Sequence, residues 1–284
     1  MRKFLRKSPG LLILATAAVA LALIACFFFS QKGVTFADRT VAEWSEALDR
    51  APDSAKKRLR AGGAKAVPVL TELLEVESGS RATSAAEVLY QLAPEVASAL
   101  PPLIAARRHV SLGVRYWVIR ALERVAHVDE EVVAALVEAL KDPSVPIRQR
   151  AAGALGNLGP TARRALPDLE QSLEDRNEIV RITAAGALLR LDRGQTKARR
   201  FLLEETGGQS PSEFRCYALA MLGSLGTVIA DAAPQIQALL DDPDPKVRRR
   251  AADVLKQMQK PPANQVNPTA TTMRRHPLPF PIKQ

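Results

Sequence analysis

The chain has 284 residues, 47% of them hydrophobic but only 5% aromatic, with a formal net charge of +10. That hydrophobic share excludes a wholly disordered chain, and two cysteines, Cys26 and Cys216, are too few and too isolated for a disulfide framework or a zinc site. The charge suggests a nucleic-acid or acidic-lipid partner only until its placement is read, because Arg2, Lys3, Arg6, Lys7 and Lys260, Arg274, Arg275, Lys283 stand in two terminal segments without acids, and the remainder is nearly balanced.

Residues 1–10 are basic, and Leu11 to Phe29 form a run of 19 residues without a charge. At about 1.5 Å per residue a helix of that length reaches about 28 Å, close to the ~30 Å hydrocarbon core of a bilayer. The run therefore predicts an uncleaved signal anchor, that is, a transmembrane helix. A competing reading of residues 1–30 is a lipoprotein signal. Leu23-Ile24-Ala25-Cys26 is similar to a bacterial lipobox, which makes Cys26 a lipidated residue, although Phe27-Phe28-Phe29 departs from the small or polar residues usual there. In either case the four positive charges stay cytoplasmic and the rest lies on the extracytoplasmic, periplasmic side of a bacterial inner membrane.

Residues 31–39 read as a linker. Thr40 followed by Glu43 is a capping-box signature that opens a helix through Trp44 and Leu48, with Trp44 a core residue closing the N-terminal end of the folded region.

From there to residue 259 the chain repeats. Asp142-Pro143 predicts an N-cap with proline at the first helical position, and Ile147, Ala151, Ala154, Leu155 and Leu158 recur on one helical face until Gly159-Pro160. Leu166, Leu169 and Leu173 carry the face of a second helix. The pattern returns about every 33 residues, marked by Arg115, Arg148, Arg181, Arg215 and Arg248 and by Asp142, Asp175 and Asp242. Six helix pairs and a closing half-unit are predicted over 40–259, in which no pair buries its apolar face without a neighbour.

Asp-Pro-x-x-x-Val-Arg leading into Ala-Ala-x-x-Leu, then Leu-Pro-x-Leu-x-x-x-Leu-x-Asp, resembles HEAT repeats of the phycobilin-lyase-like class. The resemblance covers residues 53–259, is strongest in Asp142 to Leu191 and Asp242 to Met258, and fades before Val110. It implies an all-α, right-handed α-solenoid whose second helices line a concave face. On those helices Glu72, Ala105, Glu138, Gln171, Glu204 and Ala238 occupy equivalent positions opposite the apolar face, a mildly acidic row. Arg120, Arg124, Arg150, Arg190 and Arg250 fall at outward-facing positions of the first helices.

The tail 260–284 is basic and proline-rich without apolar periodicity, and reads as disordered, with HPLPFP a docking segment as the alternative. No catalytic constellation, cofactor site or metal site is expected. His109, His127 and His276 have no ligand-spaced neighbours, and neither a nucleophile elbow nor a phosphate loop is present. The repeating arginines read as a structural ladder with the aspartates. Together these features predict a membrane-tethered scaffold, not an enzyme, that binds a basic protein or peptide through Glu72, Glu138, Gln171 and Glu204. A chromophore-lyase-like enzyme and a HEAT-like nucleic-acid binder are the rival readings. Low aromatic content speaks against the first; the near-neutral array and the export signal speak against the second, so no nucleic-acid partner is expected.

Overall fold

A computed structural model describes residues 34–77, 79–92, 100–125, 130–207, 209–226 and 231–259. The run 11–29 with Cys26, the histidines His127 and His276, and the tail 260–284 lie outside the described residues. Among the described residues no helix is long and apolar enough to cross a membrane.

A hairpin of β1 (Thr35–Phe36) and antiparallel β2 (Arg39–Thr40) leads into α1 (Val41–Arg50). Of the stretch 31–39 expected as a linker, residues 35–39 thus belong to a hairpin. Ala37 and Asp38 take φ of 50° and 58°, the left-handed backbone of a two-residue I′ turn. The strand is held because the Phe36 ring stacks on Trp44 at 5.8 Å and its carbonyl accepts from Trp44 Nε1 at 2.9 Å. Trp44 is fully buried. The expected capping box is present: Thr40 Oγ1 accepts from the Glu43 N–H at 3.3 Å, and the Glu43 carboxylate accepts from the Thr40 N–H at 2.7 Å.

Helix pairs follow in the expected order. They are α2 (Pro52–Ala61) with α3 (Val67–Val76), α4 (Gly79–Leu92) with α5 (Leu100–Ala106), and α6 (Leu112–Leu122) with α7 (Glu130–Ala139). Then come α8 (Val145–Leu158) with α9 (Leu166–Gln171), α10 (Glu178–Leu191) with α11 (Thr196–Gly207), and α12 (Ser212–Leu225) with α13 (Ala233–Ala238); α14 (Pro245–Gln259) closes the series. The architecture is an all-α solenoid. The short α9 and α13 are each prolonged by a 3-10 turn, Ser172–Glu174 and Leu239–Asp241. Gly159 and Gly226, at φ of 63° and 59°, end α8 and α12 in a backbone that only glycine adopts without strain.

Asp142 is not the cap that the Asp-Pro pair suggests. Helix α8 begins at Val145, and Asp142 instead folds the chain ahead of it, its Oδ1 accepting the Ser144 N–H at 2.8 Å in an Asx turn.

The chain divides into two compact units between Arg199 and Arg200. In the first, first helices lie against first helices, α4 on α6, α6 on α8 and α8 on α10; in the second, α12 lies on α14. Ala151, Leu155, Leu169, Ala184, Ala185 and Leu188 are fully buried, and Leu173 nearly so. Leu158 is only half-buried, since the chain turns away directly after it at Gly159. Small residues let the helices approach, and at one place nothing larger fits: a Cβ on Gly156 would stand 2.8 Å from Ala187 Cα, a backbone atom.

Removing core volume and adding it are therefore both expected to destabilise. Leu155→Ala or Leu169→Ala costs about 2–5 kcal/mol by denaturant unfolding. Gly156→Ala costs about 1–3 kcal/mol despite alanine's better helix propensity, while Arg193→Ala, on the surface, stays within about 0.5 kcal/mol. A stabilised Gly156→Ala variant would show that α8 and α10 are not in backbone contact.

Candidate protein-interaction surfaces

The repeating arginine and aspartate build one structural motif. Arg148 reaches forward 27 residues, its Nε donating to Asp175 Oδ2 at 2.7 Å and its Nη2 to Oδ1 at 2.9 Å. Its Nη1 reaches back to the carbonyls of Asp142 and Pro143 at 3.0 and 3.2 Å. Arg115 does the same with Asp142 (2.8 and 3.1 Å) and with the carbonyls of His109 and Val110 (2.8 and 3.1 Å). In the second unit Arg215 pairs with Asp242, and Arg248 holds the carbonyls of Asp242 and Pro243 at 2.7 and 3.0 Å. Each aspartate also accepts the N–H two residues on, from Ser144, Asn177 and Asp244. One fork thus satisfies the turn before its own helix and the turn before the next, a bidentate geometry that lysine lacks.

Besides Arg248, which ends the series, two arginines have no forward carboxylate among the described residues. Arg181 holds the Asp175 carbonyl at 2.9 Å and lies 3.9 Å from Glu178 of its own helix. Arg81, 34 residues before Arg115, turns back instead to Asp49, to Glu77 at 3.3 Å and to Ser45 Oγ at 3.0 Å. The aspartate's place six residues before Arg115 belongs to His109, whose Nδ1 accepts the Ser111 N–H at 3.0 Å while Nε2 lies 3.3 Å from the Glu77 carbonyl. A proton on Nε2 satisfies both contacts, so the imidazole folds this turn as a carboxylate folds the others.

The row expected to be acidic is largely neutralised from within. Glu138 accepts from Arg107 Nε and Nη2 at 2.9 and 2.6 Å and also from Arg108. The Arg108 hydrogen bond, against the opposing effect of burial and with help from Arg107, holds the Glu138 carboxyl below its ordinary range. Glu204 is exposed and lies 3.6 Å from Arg200, one turn away. Glu72 on α3 is half-buried, and Gln171 on α9 is exposed, like Ala105 and Ala238. Glu72, Glu138 and Gln171 belong to the first unit and Glu204 to the second.

The first helices carry a feature that the repeat pattern hides. Arg120 lies over the Tyr90 ring at 4.1 Å and over Trp117 at 4.9 Å, and its Nη2 donates to Tyr90 Oη at 2.5 Å. Arg124 lies 5.0 Å from the Tyr90 ring, and Arg150 lies 5.4 Å from Tyr116 with its Nη2 donating to Tyr116 Oη at 3.2 Å. Tyr90 and Trp117 are packed together at 5.1 Å, and Trp117 meets Tyr116 edge-on at 5.6 Å. Outward-facing positions were expected for Arg120, Arg124 and Arg150, but all three are half-buried against this aromatic shelf. Arg250 is exposed, and Arg190 is half-buried with Nη1 on Asn157 Oδ1 at 3.1 Å. The available signal was spacing: Tyr90 and Arg120, and Tyr116 and Arg150, are 30 and 34 residues apart, about one repeat. Cys216 is half-buried, and burial pushes its thiol up, which keeps it protonated and unreactive at neutral pH. Among the described residues no group of three or more His, Cys, Asp or Glu side chains is arranged to hold a metal ion.

The model for HEAT repeats matches residues 100–189 and 199–266, more than half of the chain. The chain belongs to the HEAT-repeat family. Among solved structures, this HEAT-repeat chain is similar to the archaeal HEAT-like repeats protein from Thermococcus onnurineus, at 13% identity over 78% of this chain and 98% of that one, with a TM-score of 0.50. It is also similar to the complex of CpcE and CpcF of phycocyanin lyase from Nostoc sp., at 21% identity over 79% and 96% of the two chains and a TM-score of 0.49. A designed armadillo repeat protein matches at 20% identity over 68% and 99%, with a TM-score of 0.43. Identities this low speak to the fold alone. Among curated proteins none matches the sequence.

The ladder sets a pH dependence. Burial pushes the Asp175 carboxyl up, but the Arg148 fork and the Asn177 N–H outweigh it and hold the group below its ordinary value. A depressed carboxylate stabilises the fold above its unfolded pKa of about 3.9, and that contribution is lost as pH falls through the lower folded value. Asp175→Asn leaves the Arg148 guanidinium, 7% exposed, without its counter-ion and is expected to cost about 3 kcal/mol at pH 7. Denaturant unfolding against pH tests this, with the two proteins converging in stability below about pH 4.

Proposed function

We propose that this chain is a non-catalytic scaffold that binds a protein partner along its repeats and is tethered to a membrane by residues 11–29. The observation that carries the reading is the HEAT array itself, in which contacts of the Arg148–Asp175 type join neighbouring helix pairs at three places and the repeat carries surface side chains at a nearly constant spacing. The 19-residue apolar run behind four basic residues supports the tether and an extracytoplasmic array. Cys26 is the lipidated residue in the lipoprotein variant of the same reading. A basic partner on Glu72, Glu138, Gln171 and Glu204 is the weaker choice of ligand. It would have to displace Arg107 and Arg108 from Glu138 and Arg200 from Glu204.

Two measurements test the reading. Protease added to intact spheroplasts is expected to digest residues 40–259, and digestion only after lysis would overturn the extracytoplasmic placement. Photo-crosslinking residues placed one at a time at Gln171, Glu72, Tyr116 and Arg124 are expected to capture a discrete protein from at least one position. Absence of crosslinks from every position would remove the scaffold reading.

A further inference from the structure

On helices α6 and α8, Arg120 and Arg150 differ from the ladder arginines. The arginines at 115 and 148, on the same two helices, each have an aspartate in their fork. Among the described residues, Arg120 and Arg150 have no carboxylate within 4.0 Å, and their side chains hydrogen-bond only to the phenols of Tyr90 and Tyr116. Glu87, three residues before Tyr90, pairs with Lys56 at 3.1 Å, and Glu123, three residues after Arg120, accepts from Asn157 Nδ2 at 2.6 Å. Arg150 Nε is buried without a partner, so its accessible end is the Nη pair. Aromatic faces attract a guanidinium without neutralising its charge. The shelf of Tyr90, Tyr116 and Trp117 therefore positions two cations and leaves N–H donors of both without a protein partner among the described residues. Fixing long side chains in advance lowers the entropy lost on binding.

We propose that the Tyr90–Tyr116–Trp117 shelf with Arg120 and Arg150 is a docking site for an acidic peptide segment, whose carboxylates take the unused N–H donors of the two guanidinium groups. Charge complementarity selects the occupant: the patch is cationic, and its planar forks suit carboxylates. A nucleic acid is disfavoured although arginine and aromatics are both present, because Arg120 already occupies the faces of Tyr90 and Trp117 on which a base would have to stack. The proposal deepens the scaffold reading and rests on it. It can fail separately, because peptide binding is scored on purified protein without any cellular partner.

The test is fluorescence anisotropy of full-length protein in non-ionic detergent with fluorescein-labelled hexaglutamate. The Arg120→Gln/Arg150→Gln double variant is expected to weaken binding about tenfold, chiefly at low salt. Lys57→Gln/Arg60→Gln removes the same charge from exposed positions on α2 and is expected to change the affinity less than about twofold. Equal losses in the two double variants would overturn the proposal, as would tighter binding of labelled hexalysine or of a twelve-residue oligothymidylate. Hydrogen exchange on the unmutated protein needs no variant to fold. Added hexaglutamate is expected to slow exchange in residues 112–122 and 145–158, and slowing confined to helices outside α4, α6 and α8 would place the peptide elsewhere and overturn the assignment.

Discussion

A guanidinium that bonds two turns at once is the contact on which the array depends. Within a helix pair the apolar face is generic, since alanine and leucine pack against alanine and leucine in several registers with small differences in energy. The Arg148 fork is not generic. It demands a carboxylate in one place and two carbonyls in another, and in a setting with little water an unpaired guanidinium costs more than a misplaced methyl group. Hydrophobic burial supplies most of the stability, and where a rung is present the fork restricts which arrangement that burial adopts.

The hairpin ahead of the first pair shows the same division of labour. Any helix could be laid against α2 and α4 for burial alone. What fixes α1 is the fully buried Trp44 indole, bonded through its Nε1 to the Phe36 carbonyl, with Arg39 and Arg58 lying 5.3 and 5.6 Å from the ring. A fully buried indole needs that hydrogen bond, and the left-handed Ala37-Asp38 turn delivers the carbonyl.

Much of this was legible in the sequence. The period and the helix faces followed from Ile147, Ala151, Leu155 and Leu169, because helical burial is a one-dimensional pattern. The ladder followed too, since Asp142 and Arg148 recur together and stacked repeats bring each arginine to an aspartate, as Arg148 meets Asp175; the breaks at Arg81 and Arg181 are marked in the sequence by His109 and Gln209 in the aspartate's place. Leu158 was misread because periodicity does not report where a chain turns away. The acidic row was overvalued for a similar reason. Glu138 lies 30 and 31 residues from Arg108 and Arg107, so only the stacked arrangement shows that its charge is already spoken for. The aromatic shelf was missed because Tyr90, Tyr116 and Trp117 belong to no repeat consensus, and a low overall aromatic content says nothing about clustering.

The ladder also measures length. A rung joins residues 27 apart, and the intervals from Arg115 to Arg148, from Arg148 to Arg181 and from Arg215 to Arg248, each of which encloses a rung, are all 33 residues long. The two intervals without a rung, Arg81 to Arg115 and Arg181 to Arg215, are both 34, with His109 and Gln209 in the aspartate's place. One residue added inside a rung would move the carboxylate by about 1.5 Å or more, out of reach of a planar fork. The extra residue of each 34-residue interval thus falls where no rung constrains the spacing. A single ion pair of modest energy thereby acts as a ruler on the gene, holding the period constant in the units that keep it and releasing it in those that do not.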